Sequence, residues 1–540
     1  MNARTNTPDL ILLGQRCRTF ARPAVAQAVA VTQGRITQVG SRSQVLRSRG
    51  RRTHIIDSKE AVLTPGLVDC HTHFFYWALG RALTIDLLDV YTLEAALRRI
   101  RQQAGKRRVG DWVIGQGFDQ NRCGNEFPTA RDLDRAVSVH PAMITSRDGH
   151  SVWLNTAALR RLKITSKTPD PKGGRYLRDA RGRPTGIVQE TAIDTLPRPV
   201  RDLALRKDTS AQRTIDRALR EAYRAAWSLG ITGVHSMDDG ASLNHLQRHH
   251  AKHELGVRVL HAVALPDFEQ ACHVGLRTGF GDDWLRIGGL KIFADGALGS
   301  QTAYMFDPYP GRENFRGVPN VGGDELREAV RKAVECGWTV WVHAIGDRAV
   351  HETVTAIAAA GRKPTPRLPH RIEHTQCTRP ADVRRMARAG VIASVQPCHV
   401  IGDIATADRH WPRARRNTYV FRRLLDAGVT LAAGSDVPIE SIDPRRSLFG
   451  ATMRTDEQGQ PSGGWFPKQR LTTTETLHAF TRGAAISAGL PLPAGTLAPG
   501  ALADITIWAE DPVRINPFDL LNIGIRGCVV GGHLHLVDEA

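Results

Sequence analysis

Five apolar stretches of this 540-residue chain run into residues able to bind a metal ion. Leu67-Val68-Asp69-Cys70 leads into His71-Thr72-His73, and Gly288-Gly289-Leu290 leads into Lys291. Val340-Trp341-Val342 ends in His343, Arg371-Ile372-Glu373 ends in His374, and Leu431-Ala432-Ala433-Gly434-Ser435 ends in Asp436. On a strand, side chains two apart share a face, so His71 and His73 form a ready half-site. Imidazole nitrogen and carboxylate oxygen suit zinc and its neighbours. Four histidines and Asp436 offer enough donors for one or two divalent ions. Lys291 has two readings on its physics alone. It forms a salt bridge to Asp295 or Asp436, or burial frees its amine to add CO₂ as a carbamate with two metal-binding oxygens.

The elements that must position these groups repeat one local pattern: an amphipathic helix, a glycine, then a β-rich run. Leu326, Ala329, Val330, Ala333 and Val334 mark a helical stripe, Gly337 stops it, and Trp338-Thr339-Val340-Trp341-Val342-His343 follows. Ile215, Leu219, Ala222, Ala226 and Leu229 do the same before Gly230 and Ile231-Thr232-Gly233-Val234-His235. Helix alternating with buried strand implies parallel βα units. Eight such strands are expected, centred on 67–73, 231–236, 258–265, 287–295, 339–343, 371–375, 391–397 and 430–436. Eight units make a (β/α)₈ TIM barrel, an α/β fold whose site gathers at the C-terminal strand ends.

Residues 64–80 and 205–490 are assigned to that barrel. Residues 1–63 and 491–540 read as short strands and turns, expected to join in a small β-sandwich built from both chain ends. Residues 81–204 are far too long for an ordinary connection after strand one and read as an inserted subdomain. It holds two strand-like runs, at Asp111–Gly115 and Ala142–Thr145.

Composition excludes several classes. Apolar residues at 41% fit a globular chain. No apolar run reaches membrane-spanning length, and Met1 to Leu10 lacks a secretory pattern. Eight scattered cysteines without a Cys-x-x-Cys pair indicate reduced thiols and a cytoplasmic protein. The formal charge of +19 raises nucleic acid as a partner. The excess is arginine dispersed over many segments, without a nucleic-acid motif, so neither nucleic acid nor membrane is expected to bind.

In this order the motifs resemble the metal-dependent amidohydrolase superfamily, in particular its N-substituted formamide deformylase-like branch. They are Pro65-Gly66-Leu67-Val68-Asp69 with His71 and His73, Lys291-Ile292-Phe293-Ala294-Asp295-Gly296, His343-Ala344-Ile345-Gly346-Asp347, Ile372-Glu373-His374, Gly434-Ser435-Asp436 and the closing Gly495-x-Leu497-x-x-Gly500-x-x-Ala503-Asp504. The resemblance implies two divalent ions, zinc first among them. It places His71 and His73 on one ion, His343 and His374 on the other, and carboxylated Lys291 between them. Asp436 becomes ligand and proton shuttle. The implied reaction is hydrolysis of an amide- or formamide-type C–N bond in a small molecule, by a homodimer. A mononuclear deaminase or isomerase on the same barrel is the alternative, and Lys291 counts against it.

Around that set, His150, Trp77, Tyr304 and His235 are candidate substrate-binding residues. His235 reads more readily as a hydrogen-bonded core group than as a residue lining the mouth. Phe74 and Phe75 are either a pocket wall or packing. Asp295 and Asp347 are expected to fix their own loops, and Glu373 to point away from the metals.

Overall fold

The computed structural model describes residues 7–105, 110–119, 127–147, 149, 151–171, 174–361 and 368–537. The chain divides into two compact units, Met1–Phe74 with Arg220–Ala540, and Phe75–Leu219.

The first unit contains eight parallel strands: β1 (Leu67–Thr72), β2 (Ile231–Ser236), β3 (Arg258–Ala264), β4 (Leu285–Phe293), β5 (Val340–Ala344), β6 (Arg371–His374), β7 (Ile392–Val395) and β8 (Leu431–Ala433). They pair in chain order. The eight expected strands are therefore all present, with helices between them. Fully enclosed strands need no polar alternation, which is why they read as apolar runs.

The helix Gly323–Glu335 shows how a unit is built. Leu326, Val330 and Ala333 bury one stripe. Gly337 turns the chain at φ 79°, and Trp338 N–H closes onto Ala333 O at 2.8 Å. The chain then enters β5.

The barrel closes between β8 and β1. Asp436 N–H donates to His71 O at 2.7 Å, and Thr72 bridges Val437 in parallel. This approach requires Gly434, because a Cβ there would lie 2.5 Å from His71 N.

Both chain ends share one seven-stranded mixed sheet in the order His533–Leu536, Ile525–Val530, Ile505–Trp508, His54–Pro65, Leu10–Arg18, Val25–Thr32, Arg35–Gly40. The ends meet where Ile505–Trp508 runs antiparallel to Val62–Pro65. Leu10, Leu12, Val29 and Val31 cover one face with Ile505 and Ile507. Ile11, Leu13, Ala28 and Ala30 cover the other with Val45. His54–Pro65 runs through Gly66 into β1, so this sheet anchors the strand that carries His71.

The second unit is built on a six-stranded sheet, ordered Gly174–Arg178, Pro184–Glu190, Ser151–Leu154, Ala142–Ser146, Val113–Phe118, Ile85–Asp86. Alternation packs Val113, Ile144 and Trp153 on one face and Ile114, Met143 and Val152 on the other. Among the described residues no helix is long and apolar enough to cross a membrane. The seven described cysteines are free; Cys123 lies outside the described residues.

Candidate metal centre

His71, His374 and Asp436 come together at the C-terminal strand ends. Their ligand atoms lie within 4.8 Å of one another, and all three side chains are buried. His71 Nε2 is 3.4 Å from Asp436 Oδ1, and His73 Nε2 is 3.7 Å from the same oxygen. His374 Nδ1 is 3.9 Å from Oδ2. The His343 ring centre is 4.5 Å from that of His374. Lys291 is buried, and its Nζ lies 4.7 Å from the centre of the Phe293 ring.

The backbone is bent to bring these groups together. His374 has φ 69° and Asp436 φ 63°. Left-handed backbone at a residue other than glycine costs on the order of 1–3 kcal/mol and persists where the surroundings enforce it.

Three of the four imidazoles have an oxygen near one ring nitrogen. His71 Nδ1 is 2.7 Å from Glu373 Oε2. A proton donated there leaves Nε2 facing Asp436. His343 Nε2 is 3.0 Å from Gly296 O. His73 Nδ1 is 3.6 Å from Asp238 Oδ1. Such outer partners fix tautomer and ring orientation in metal sites.

Glu373 therefore does not turn away from the site; it reaches His71 from behind. It is held by Arg371, fully enclosed in the barrel, whose Nε is 2.9 Å from Glu373 Oε1. The same guanidinium meets His235 Nδ1 at 2.8 Å, Cys70 O at 2.5 Å and Ser394 Oγ at 3.0 Å. It lies 4.1 Å from the centre of the Trp341 ring. Replacing Glu373 with glutamine keeps the shape and removes the charge behind His71. Metal affinity is expected to fall about 10–100-fold, read by competition with a chromophoric chelator. Unchanged affinity would show that Glu373 does not tune the site.

Burial sets the protonation states. It holds the His71 imidazole well below its usual value, helped by the neighbouring Lys291 and His73 charges. His374 is lowered likewise, by burial and then by His343 and His71. Burial brings Lys291 down to about 8, against the opposing pull of Glu373 and Asp436. Burial also raises Asp436, opposed by His73 and His399. Neutral imidazoles are the form that binds metal.

Lys291 makes no ion pair with Asp295 or Asp436 among the described residues, and its Nζ has no hydrogen-bond partner. Asp295 instead accepts from the backbone N–H groups of Tyr304, Ile345 and Gly346 at 2.8, 3.0 and 2.8 Å. Asp347 accepts from Phe306 N–H at 2.9 Å. Asp295 thus ties its own loop to the one after β5, and Asp347 reaches across to the loop after β4 instead of holding only its own.

The outlying candidates separate. His235 is 3% exposed, stacks on Trp341 and hydrogen-bonds Arg371, which places it inside the barrel rather than at the mouth. Tyr304 holds the loop after β4 through its backbone, and the Arg348 guanidinium covers its ring at 4.5 Å. Phe74 packs against Tyr223 at 5.9 Å. Trp77 belongs to the second unit and is buried there beside Arg81. His150 lies outside the described residues.

Two groups went unnoticed in the sequence. Asp238, behind His73, follows β2 by two residues. His399 follows β7 and places Nε2 at 3.3 Å from Ser435 O, with its ring 6.4 Å from that of His374. The polar residues Gln396 and His399 just past an apolar strand were the available signal.

The model of the amidohydrolase family matches residues 54–534. YtcJ of Bacillus subtilis (strain 168) is 29% identical, over 94% of this chain and 95% of its own. The N-substituted formamide deformylase of Arthrobacter pascens is 26% identical, over 98% of each chain. An uncharacterized metal-dependent hydrolase from Pyrococcus horikoshii OT3 has a crystal structure that superposes with a TM-score of 0.74 at 26% identity. That match covers 94% of this chain and 99% of the other.

Proposed function

The chain belongs to the amidohydrolase family, and from that premise we propose that it is a metal-dependent hydrolase of a non-peptide carbon–nitrogen bond. The observation that carries this reading is the convergence of His71, His374 and Asp436 on one point. An amide or formamide is the substrate class, and the formamide deformylase relative supports that choice.

The residues fit a divalent ion. His374 Nδ1 and Lys291 Nζ are buried without hydrogen-bond partners, an arrangement that costs about 1–3 kcal/mol for each group left so. His71 and His73 would hold one ion, and His343 and His374 a second. Asp436 and the carbamate of Lys291 would complete the set. Imidazole and carboxylate donors without thiolate suit zinc. Such ions, when bound, polarise a carbonyl and lower the pKa of water to about 7.

The protein's own groups then do the following. Glu373 keeps His71 in one tautomer, and Asp238 orients His73. Asp436, made more basic by burial, takes the proton of the attacking water and delivers it to the leaving nitrogen. The C–N bond breaks and the products are an amine and a carboxylic acid, formic acid where the substrate is a formamide.

Two measurements test this. Protein purified without chelator is expected to carry about two ions per chain by elemental analysis. The same protein is expected to hydrolyse a member of a panel of formamides, N-acyl amines and cyclic amides. One ion with full activity would overturn the two-ion arrangement. A metal-loaded protein inert towards the whole panel would overturn the reaction class.

A further inference from the structure

At the end of the barrel opposite the metal centre lies a cavity of about 110 Å³. Pro65, Gly66, Thr232, Val259 and Arg286, from the starts of the first four strands, form part of its lining. On a scale of about 10–15 Å³ per water-sized occupant, it has room for roughly seven to eleven non-hydrogen atoms.

The charges around this cavity are paired, with one exception. Arg258 Nε binds Asp504 at 2.6 Å. Asp283 binds Arg35 at 2.8 Å, and Asp282 binds His250 at 2.8 Å. Arg286 has no carboxylate in ion-pair contact among the described residues; its Nη2 donates to Ala488 O at 2.8 Å. Burial presses its guanidinium below the usual value, with Asp283 as the opposing charge. The hydroxyls of Thr232 and Thr481 give their protons to Leu67 O and Leu477 O, so they offer only lone pairs. Ala484, Ala485, Ala488 and Leu490 line the same cavity and give it an apolar wall that begins beside the guanidinium, at Ala488.

We propose that this cavity in the barrel floor binds a short-chain carboxylate, with the carboxylate on Arg286 and the alkyl tail against the alanine wall. A guanidinium fork matches a planar carboxylate. A bare phosphate or chloride would leave the alanine wall without contacts. The site is separate from the proposed reaction and stands or falls without it.

Butyrate is the probe, titrated calorimetrically into the full-length, metal-loaded protein, with chloride and phosphate as controls. Saturable binding is expected for butyrate and not for the controls. Arg286→Gln is expected to weaken it at least about tenfold, the scale of a lost charge-assisted hydrogen bond. Ala485→Leu fills the apolar end and leaves the charges alone; it is expected to abolish binding, and it serves if the arginine variant fails to fold. Absence of saturable binding would overturn the proposal, as would equal affinity for phosphate. Butyrate affinity unchanged in Ala485→Leu would place the ligand elsewhere, the metal centre included, and overturn it too.

Discussion

Lys291→Ala is expected to lower the metal content from about two ions per chain to one or fewer and to cut hydrolysis by about 10²–10³-fold, the order lost when one preorganised electrostatic element is removed. The reason is the position of the amine. Nζ is buried, aimed at the Phe293 ring and without a hydrogen-bond partner. An amine so placed contributes little to folding, because its charged form is desolvated and unpaired. Its value lies in the neutral form, which can take up CO₂.

The variant should therefore separate metal loading from stability. In the metal-free wild type, the folded amine titrates near 8 against an ordinary 10.5. The unfolded chain binds more protons between those values, so stability rises with pH across that window. Below about pH 8 the full cost of the buried charge is present. Denaturant unfolding of metal-free protein from pH 7 to 10 should show this gain, and Lys291→Ala should lack it. An unchanged metal content in the variant would sink the carbamate bridge.

Asp436→Asn is expected to reduce kcat by about 10²–10⁴-fold, the range for a lost proton-transfer group. Asparagine keeps the shape and cannot accept the proton. Burial raises the wild-type carboxyl above its ordinary value, and only its ionised form serves as base. Wild-type activity should therefore climb with pH through that raised value and then level off, and the variant should lose the climb. Activity within tenfold of wild type on the best substrate of the panel, with the climb intact, would remove Asp436 from the proton path.

The barrel was legible because its strands are enclosed on both faces. Val340–Ala344 and Ile392–Val395 carry no solvent-facing positions to break the apolar run. The ligands were legible because each follows such a run. Glu373 was misread for a physical reason. Strand alternation places Glu373 and His374 on opposite faces, so a metal-facing His374 implied an outward Glu373. In fact Arg371 and Glu373 share the barrel interior, as residues two apart should. His374 leaves the alternation because its backbone turns left-handed at φ 69°. A left-handed histidine carries no sequence signal of the kind that glycine gives. His235 faces the same interior and meets Arg371 there, a contact set by barrel closure and not by any local pattern. Asp238 sits on a loop and His399 opens the helix His399–His410, just past strand ends, where neither strand periodicity nor strand direction indicates which way a side chain points.

The seam between β8 and β1 also has a meaning in time. Asp69 Oδ1 accepts from Ser435 N–H at 3.0 Å across 366 positions of sequence, and His71 and Asp436 meet in the same seam. At ribosomal speeds of roughly 5–20 residues per second, that interval lasts on the order of 20–70 s. Throughout it the nascent chain exposes a His-x-His pair with no Asp436 to meet it. The metal centre thus cannot be complete until β8 has been made, and ion capture marks a closed ring of strands rather than nucleating one; the sheet shared by the chain ends is finished later still, with Ile505–Trp508 and the strands after it.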